Sequence, residues 1–283
     1  MAKFYFFLTF LLSLNTATAQ RFKPVYLINE KTNKPVAFYP VSLPKNQMTY
    51  SDFNGLLYYP QNSVLEFKYP LFQYLKINSD ELGSSLYLRE RTKGLEEIII
   101  YKGEVFSINP FYKKAFKNRK NLIQNLSINP KQELLSKIIF HEKYYNRKVK
   151  SLSFRLINET NDYKNADSYI RINVYDINKK MIYSSEPVKL TASKTIEVKH
   201  ELEKDVFIDL IGMYFGIEVI GLINKDGSFY PTSKPYLNVC RFNNNFDDYQ
   251  AEYLNHYISD PLFYRINNLN DYRYLKIFGF ELQ

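Results

Sequence analysis

The residues best suited to chemistry are a few histidine and glutamate side chains at close spacing. His200 and Glu203 form a His-x-x-Glu sequence, and both residue types bind zinc in peptidases. A catalytic zinc also needs a third protein ligand, and the only later histidine is His256, with no peptidase motif around it. Because His200 also fits the end of an alternating strand, the sequence favours a structural role for it.

Motifs of the common enzyme classes are missing from the sequence. His141 begins a zincin-like His-Glu, but Tyr145 stands where the second histidine of that motif belongs. There is no Gly-x-Ser-x-Gly elbow, no Gly-Lys-Ser/Thr phosphate loop and no Gly-x-Gly-x-x-Gly. Paired carboxylates could hydrolyse glycosides, but among 29 acidic residues no pair stands out. Glu218 lies inside the apolar run Tyr214–Ile220, and we expect it on the solvent face of a strand.

Two polar runs offer binding chemistry without a defined motif. Asn243–Asp248 supplies oxygen ligands that suit calcium, yet it lacks EF-hand spacing, and Asn/Asp clusters usually form turns. The basic run Lys113–Lys120 could contact anionic lipid headgroups, although a solvated linker is the commoner explanation. The single Cys240 excludes an intrachain disulfide and a cysteine-cluster metal site. The sequence thus predicts no catalytic residue, no metal ligand and no cofactor.

The first 19 residues have the layout of a secretory signal peptide. Met1–Lys3 is charged, Phe4–Leu14 is almost wholly apolar, and Ala17–Ala19 supplies the small residues of a cleavage site. The residue after the site is Gln20 rather than Cys, which argues against a lipid anchor. No later segment has 18 uncharged apolar residues, so no transmembrane span is expected after cleavage. We expect an exported protein that is periplasmic, outer-membrane-associated or secreted, and therefore not a partner of nucleic acid despite its net charge of +9.

Composition and periodicity favour strands as the elements that position these residues. The 283 residues include 26 Tyr and 22 Phe but only 9 Gly, and aromatic rings pack well on a pleated surface. Short runs separated by turn formers, such as Asn54-Gly55, predict a sandwich or barrel in the first part. Longer alternating runs predict half-buried antiparallel strands with one wet face in the second part. The predicted strands are Val25–Asn29, Ala37–Ser42, Leu56–Tyr59, Val64–Tyr69, Tyr74–Ile77, Leu86–Arg89, Glu97–Tyr101, Val149–Asn158, Ser168–Asp176, Thr195–His200, Gly212–Ile220, Tyr236–Phe242 and Leu275–Leu282.

Residues 21–102 resemble the carboxypeptidase regulatory-like domain, also called the peptidase-associated domain. The similarity is carried by Tyr26–Asn29, Thr32, Lys34–Val36, Val41–Leu43, Tyr50–Gly55, Leu65–Phe67, Leu86–Leu88 and the closing Leu95–Ile100. The resemblance implies a seven-stranded sandwich of transthyretin-like or prealbumin-like type without catalytic residues.

The second part looks like a β-sandwich region that accompanies this domain in secreted proteins of some Gram-negative bacteria. Val149–Leu156, Tyr169–Asp176 and Tyr214–Glu218 carry this similarity. The predicted fold is therefore all-β, with two sandwiches of which the second is a larger, antiparallel, jelly-roll-like one. The predicted organisation is a signal peptide at 1–19, the first sandwich at 20–102, a basic linker with a short helix at 103–133, and the second sandwich at 134–283.

Three functions remain open from the sequence. The first is a non-enzymatic exported protein that contacts a protein or another cell-envelope component through strand edges and loops. The second is a glycan-binding module with tyrosine-rich faces, against which the absence of Trp counts. The third is a hydrolase with an unrecognised site, which would need converging carboxylates or histidines in a pocket.

Overall fold

The structure, a computed structural model, is all-β. It describes residues 22–45, 47–69, 71–91, 105–108, 126–158, 166–190, 193–224, 229–230, 237–239, 242–243, 249–257, 263–265 and 275–283. Within these ranges there is no α-helix, and the 3-10 helices Ser79–Glu81 and Glu142–Tyr144 are single turns. No helix in this part of the chain is long and apolar enough to cross a membrane. The predicted all-β class is confirmed.

The chain separates into two compact units, one ending at Glu90 and the other beginning at Arg91. In the first unit a three-stranded sheet has the order β4-β1-β7, and a four-stranded sheet has the order β3-β2-β5-β6. β1 and β7 run parallel, whereas the other strand pairs of both sheets are antiparallel. The strands are β1 Phe22–Asn29, β2 Pro40–Leu43, β3 Gln47–Tyr50, β4 Leu56–Pro60, β5 Val64–Phe67, β6 Leu75–Asn78 and β7 Ser85–Leu88.

A tight turn before β4 fixes that strand beside β1. Asp52 Oδ1 accepts hydrogen bonds from the backbone N–H groups of Asn54 and Leu56, at 2.8 and 2.7 Å. Gly55 has a φ of +75°, and a Cβ there would lie 2.7 Å from the carbonyl oxygen of Leu27. Only glycine meets both requirements without strain. The Asp-x-Asn-Gly sequence thus sets the register of the β1–β4 pair.

The second unit contains sixteen of the described strands. They are β8 Phe106–Ile108, β9 Leu126–Ile128, β10 Gln132–Phe140, β11 Val149–Asn158, β12 Ala166–Tyr175, β13 Met181–Ser184, β14 Val188–Lys189, β15 Thr195–Glu201, β16 Met213–Asn224, β17 Phe229–Tyr230, β18 Leu237–Val239, β19 Phe242–Asn243, β20 Tyr249–Tyr257, β21 Phe263–Arg265, β22 Leu275–Lys276 and β23 Gly279–Leu282. All of their pairings are antiparallel.

Two large sheets of this unit share one apolar core. The first sheet has the order β13-β12-β16-β10-β20-β21, with β14 beside β12 and β17 beside β16. The second has the order β8-β23-β11-β18-β9, with β15 beside β11. Phe280 of the second sheet lies with its ring centroid 5.0 Å from those of Phe140 and Phe215 of the first. Rings from both sheets interlock in this way, which is the packing of a sandwich.

Strand positions follow the predictions in part. Val149–Asn158 is a strand with the predicted bounds, and most other predicted strands overlap an observed one. The described strands that were not predicted are β3, β8, β9, β10, β13, β14, β17, β20 and β21. The predicted linker at 103–133 contains β8 and β9, which pair with strands of the second unit. Lys113–Lys120 and the predicted strand Glu97–Tyr101 lie outside the described residues, as do the signal peptide, Cys240 and residues 244–248.

Candidate functional site

The outward face of the β4-β1-β7 sheet carries a row of exposed aromatic side chains. Along β1 the residues Val25 and Leu27 are buried, so alternation turns Phe22, Pro24 and Tyr26 to the opposite side. Tyr58 of β4 and Tyr87 of β7 lie on the same outward face. We call the three residues Tyr26, Tyr58 and Tyr87 the tyrosine row.

Strand register places the tyrosine row on a diagonal. Tyr58 is opposite Pro24, two residues before Tyr26, and Tyr87 is opposite Ile28, two residues after it. With strands about 5 Å apart and about 3.3 Å per residue, neighbouring tyrosines of the row are about 8 Å apart at their Cα atoms. The row therefore extends over about 16 Å.

The tyrosine row is exposed and uncharged. Tyr26, Tyr58 and Tyr87 keep 48%, 56% and 56% of their surface, and neighbouring Phe22 keeps 58%. The outward positions of the three strands are otherwise Pro24, Ile28, Leu56, Pro60 and Ser85, so none carries a charge. The first charged residues beyond Tyr87 and Ile28 are Arg89 and Glu30, which pair with each other.

Glu30 and Arg89 form an ion pair just beyond the ends of β1 and β7. Arg89 donates to both carboxylate oxygens of Glu30, from Nε at 2.6 Å and from an Nη at 2.9 Å. The hydrogen bond from Arg89 lowers the pKa of Glu30, so the pair is ionised and balanced at neutral pH. The tyrosine row therefore ends beside a charge-balanced pair.

A second candidate region is a set of polar side chains buried in the second unit. Four adjacent strands of the larger sheet align Arg171 of β12, Glu218 of β16, Glu133 of β10 and His256 of β20. These residues point to the face turned away from the main core, because Ile172, Ile217 and Leu134, their sequence neighbours, belong to that core. Glu133 and Glu218 are nevertheless completely buried, and Arg171 keeps only 4% of its surface. We call Glu133, Arg171, Asn173, Tyr175, Glu218 and His256 the buried polar cluster.

Glu133 is the hub of the buried polar cluster. Its Oε1 accepts a hydrogen bond from Asn173 Nδ2 at 2.8 Å, and its Oε2 accepts one from the Tyr175 hydroxyl at 2.7 Å. His256 Nδ1 lies 2.8 Å from the same Oε2. Space for the carboxylate comes from Gly216, where a Cβ would lie 2.1 Å from Glu133 Oε1. A glycine at this position of β16 is therefore a condition for the network.

Glu218 is held more loosely by the same cluster. Its two oxygens lie 3.4 Å from Arg171 Nη1, and Asn173 Nδ2 donates to Oε2 at 3.3 Å. Burial raises the pKa of Glu218, with Arg171 opposing that shift and Glu133 adding to it. The prediction that Glu218 faces solvent is wrong, since the second face of its strand is also buried.

The chemistry of the buried polar cluster is that of a satisfied network. Two neighbouring carboxylates beside a histidine would suit acid–base catalysis in a cleft, but here each carboxylate accepts hydrogen bonds from the cluster itself. Networks of this kind specify a unique packing. Within the described ranges, no three His, Cys, Asp or Glu side chains are arranged to hold a metal ion. Sequence reasoning missed this cluster because its signal, polar residues on β12 and β16 that match in register, depends on strand pairing.

The two predicted histidine candidates have structural partners. His200 Nε2 lies 2.7 Å from the Tyr183 hydroxyl, and burial raises the pKa of Tyr183 to about 12 and lowers the pKa of His200. Both shifts favour the neutral forms of these groups, and Glu203 is exposed. His141 caps a 3-10 helix by accepting a hydrogen bond from the backbone N–H of Lys143 at 3.2 Å.

Comparison with known proteins adds no relative. No protein-family model matches the chain, and no curated protein and no solved structure matches it.

Proposed function

We propose that this protein is an exported, non-enzymatic binding protein that docks an envelope component on the tyrosine row of its first unit. The observation that carries the proposal is the exposure of Tyr26, Tyr58 and Tyr87 on one uncharged sheet face. Contiguous apolar patches exposed on a protein surface are often interaction sites. The signal-peptide layout of residues 1–19 supports a location in the periplasm, at the outer membrane or outside the cell.

We further propose that the first unit is a carboxypeptidase regulatory-like sandwich of transthyretin-like type. Its seven described strands, in sheets of three and four, support the assignment. The sequence similarity of Tyr26–Asn29 and Tyr50–Gly55 falls on β1 and on the turn before β4. The second unit is proposed to be the larger jelly-roll-like sandwich, which its two facing antiparallel sheets support.

The proposed function predicts that row variants lose binding to the envelope. The purified chain beginning at Gln20 would be sedimented with isolated envelopes of the native host, and the bound fraction measured. The variant Tyr58→Ser/Tyr87→Ser is expected to lose most of the binding, because it removes two of the three rings. The control Tyr145→Ser/Ile211→Ser removes two apolar side chains of the second unit that are 57% and 64% exposed, and it should bind like the wild type. Equal binding by both variants would contradict the proposed function.

A further inference from the structure

We propose that the ligand of the tyrosine row is a neutral, extended polysaccharide chain, with sugar rings stacked on Tyr58, Tyr26 and Tyr87 in sequence along the diagonal. This inference rests on the proposed function and names the chemical class of its partner. Three properties of the row carry it, namely its area, its lack of charge and its linear spacing.

The exposed area of the row suits a chain of sugars better than a folded protein. A Tyr or Phe side chain has about 150–250 Å² of surface, so four half-exposed rings, including Phe22, offer about 400 Å². A stable protein–protein interface buries about 800 Å² on each partner. A second copy of this chain would therefore find too little surface for a stable dimer, whereas a narrow ligand could be covered along its length.

Charge complementarity points to a neutral ligand. The outward positions of β1, β4 and β7 carry no Asp, Glu, Lys, Arg or His, and the nearby Arg89 and Glu30 neutralise one another. An anionic polymer or lipid headgroup would gain nothing from this face, because both are recognised through Lys and Arg side chains. A neutral polyhydroxylated chain has apolar C–H faces for the rings and hydroxyls for the tyrosine oxygens.

The phenolic hydroxyls are available for such a ligand. Within the described residues, the hydroxyls of Tyr26, Tyr58 and Tyr87 make no hydrogen bond, unlike those of buried Tyr39 and Tyr175. Each tyrosine can therefore both stack on a ring and exchange a hydrogen bond at its edge. Regular steps of about 8 Å place successive stacking rings on the scale of one to two sugar units.

Titration with neutral hexasaccharides tests this assignment. The probes are β-1,4-linked hexamers of glucose, xylose and mannose, which all keep the vicinal 2,3-diol that periodate cleaves, with an oligogalacturonate of equal length as the charged comparator. We expect the full chain from Gln20 to bind at least one neutral hexamer by calorimetry and to bind the charged one more weakly. Each single variant Tyr26→Ser, Tyr58→Ser and Tyr87→Ser should weaken binding about two- to tenfold, most strongly at the central Tyr26. The Tyr145→Ser/Ile211→Ser control should bind like the wild type.

Treating the envelopes with periodate or with protease distinguishes a wrong glycan assignment from a wrong docking function. Periodate destroys vicinal diols of sugars, and protease removes envelope proteins. We expect sedimentation with envelopes to fall after periodate and to survive protease. If sedimentation instead survived periodate and fell after protease, while the row variants still failed to sediment, the glycan assignment would be overturned. The docking function of the tyrosine row would stand. Absence of binding to every neutral hexamer at millimolar concentration would also overturn it.

Discussion

Two sheet faces of this protein follow the same period-two alternation but differ in solvent exposure. One is the outward face of the β4-β1-β7 sheet, and the other is the face of β12, β16, β10 and β20 that is turned away from the main core. On the first, Tyr26, Tyr58 and Tyr87 are about half exposed and uncharged. On the second, Glu133 and Glu218 are fully buried beside Arg171. Alternation therefore identifies the two faces of a strand but does not show which of them is exposed to solvent.

Breaking the ion pair of the buried face should have the largest effect on stability. Arg171→Leu would leave Glu218 without its only charged partner in the cluster, and loss of one member of a buried pair costs about 3–5 kcal/mol. Urea unfolding measures this loss. The double variant Arg171→Leu/Glu218→Leu is expected to recover much of it, because no uncompensated charge remains. If the single and double variants unfolded at the same urea concentration, the pair would not be what stabilises this face.

A smaller effect distinguishes the two faces with one chemical change. Tyr175→Phe removes a hydroxyl that donates to the buried Glu133, and such a hydrogen bond to a charged group contributes about 1.5–3 kcal/mol. Tyr26→Phe removes a hydroxyl of the exposed row and should change the free energy of unfolding by less than about 0.5 kcal/mol. Thermal unfolding of the two variants compares the faces directly. Equal losses would show that exposure does not separate them.

Within the buried polar cluster, the smallest expected loss concerns Gly216, which makes room for Glu133. In Gly216→Ala the added Cβ would press against the Glu133 carboxylate, which three partners hold in place. Overpacking of this kind lowers the free energy of unfolding by about 1–3 kcal/mol. Gly83→Ala is the matched control, because nothing lies within 4 Å of the Cβ it would add. Denaturant midpoints measure both. A Gly216→Ala protein as stable as the control would mean that Glu133 can move without cost.

Local sequence features predicted the fold class because they depend on near neighbours. The turn Asp52–Gly55 is encoded by its own residues, and the alternation of Val149–Asn158 by one strand. β10 was missed because the run Gln132–Phe140 has apolar residues on both faces, which obscures period two. Such a strand reads as a buried segment rather than an alternating one.

The tyrosine row and the buried polar cluster could not be predicted, because both depend on strand pairings that no local sequence pattern contains. A tyrosine-rich face could be predicted from composition, but the tyrosine row requires Pro24 to face Tyr58 and Ile28 to face Tyr87. Likewise, Glu133, Glu218 and His256 meet only because β10 lies between β16 and β20. Residues more than thirty positions apart decide whether a polar side chain is wet or buried.

The position of β23 has a consequence for how the second unit forms. Gly279–Leu282 lies between β8 and β11, and Phe280 contributes its ring to the shared core. Glu281 pairs with Ser107, so strands near opposite ends of this unit must meet before the sheet is continuous. Contacts of such high sequence separation form late and slowly. During synthesis the second sheet of this unit is therefore completed only after β23 has been made, because β23 is the strand that joins β8 to β11.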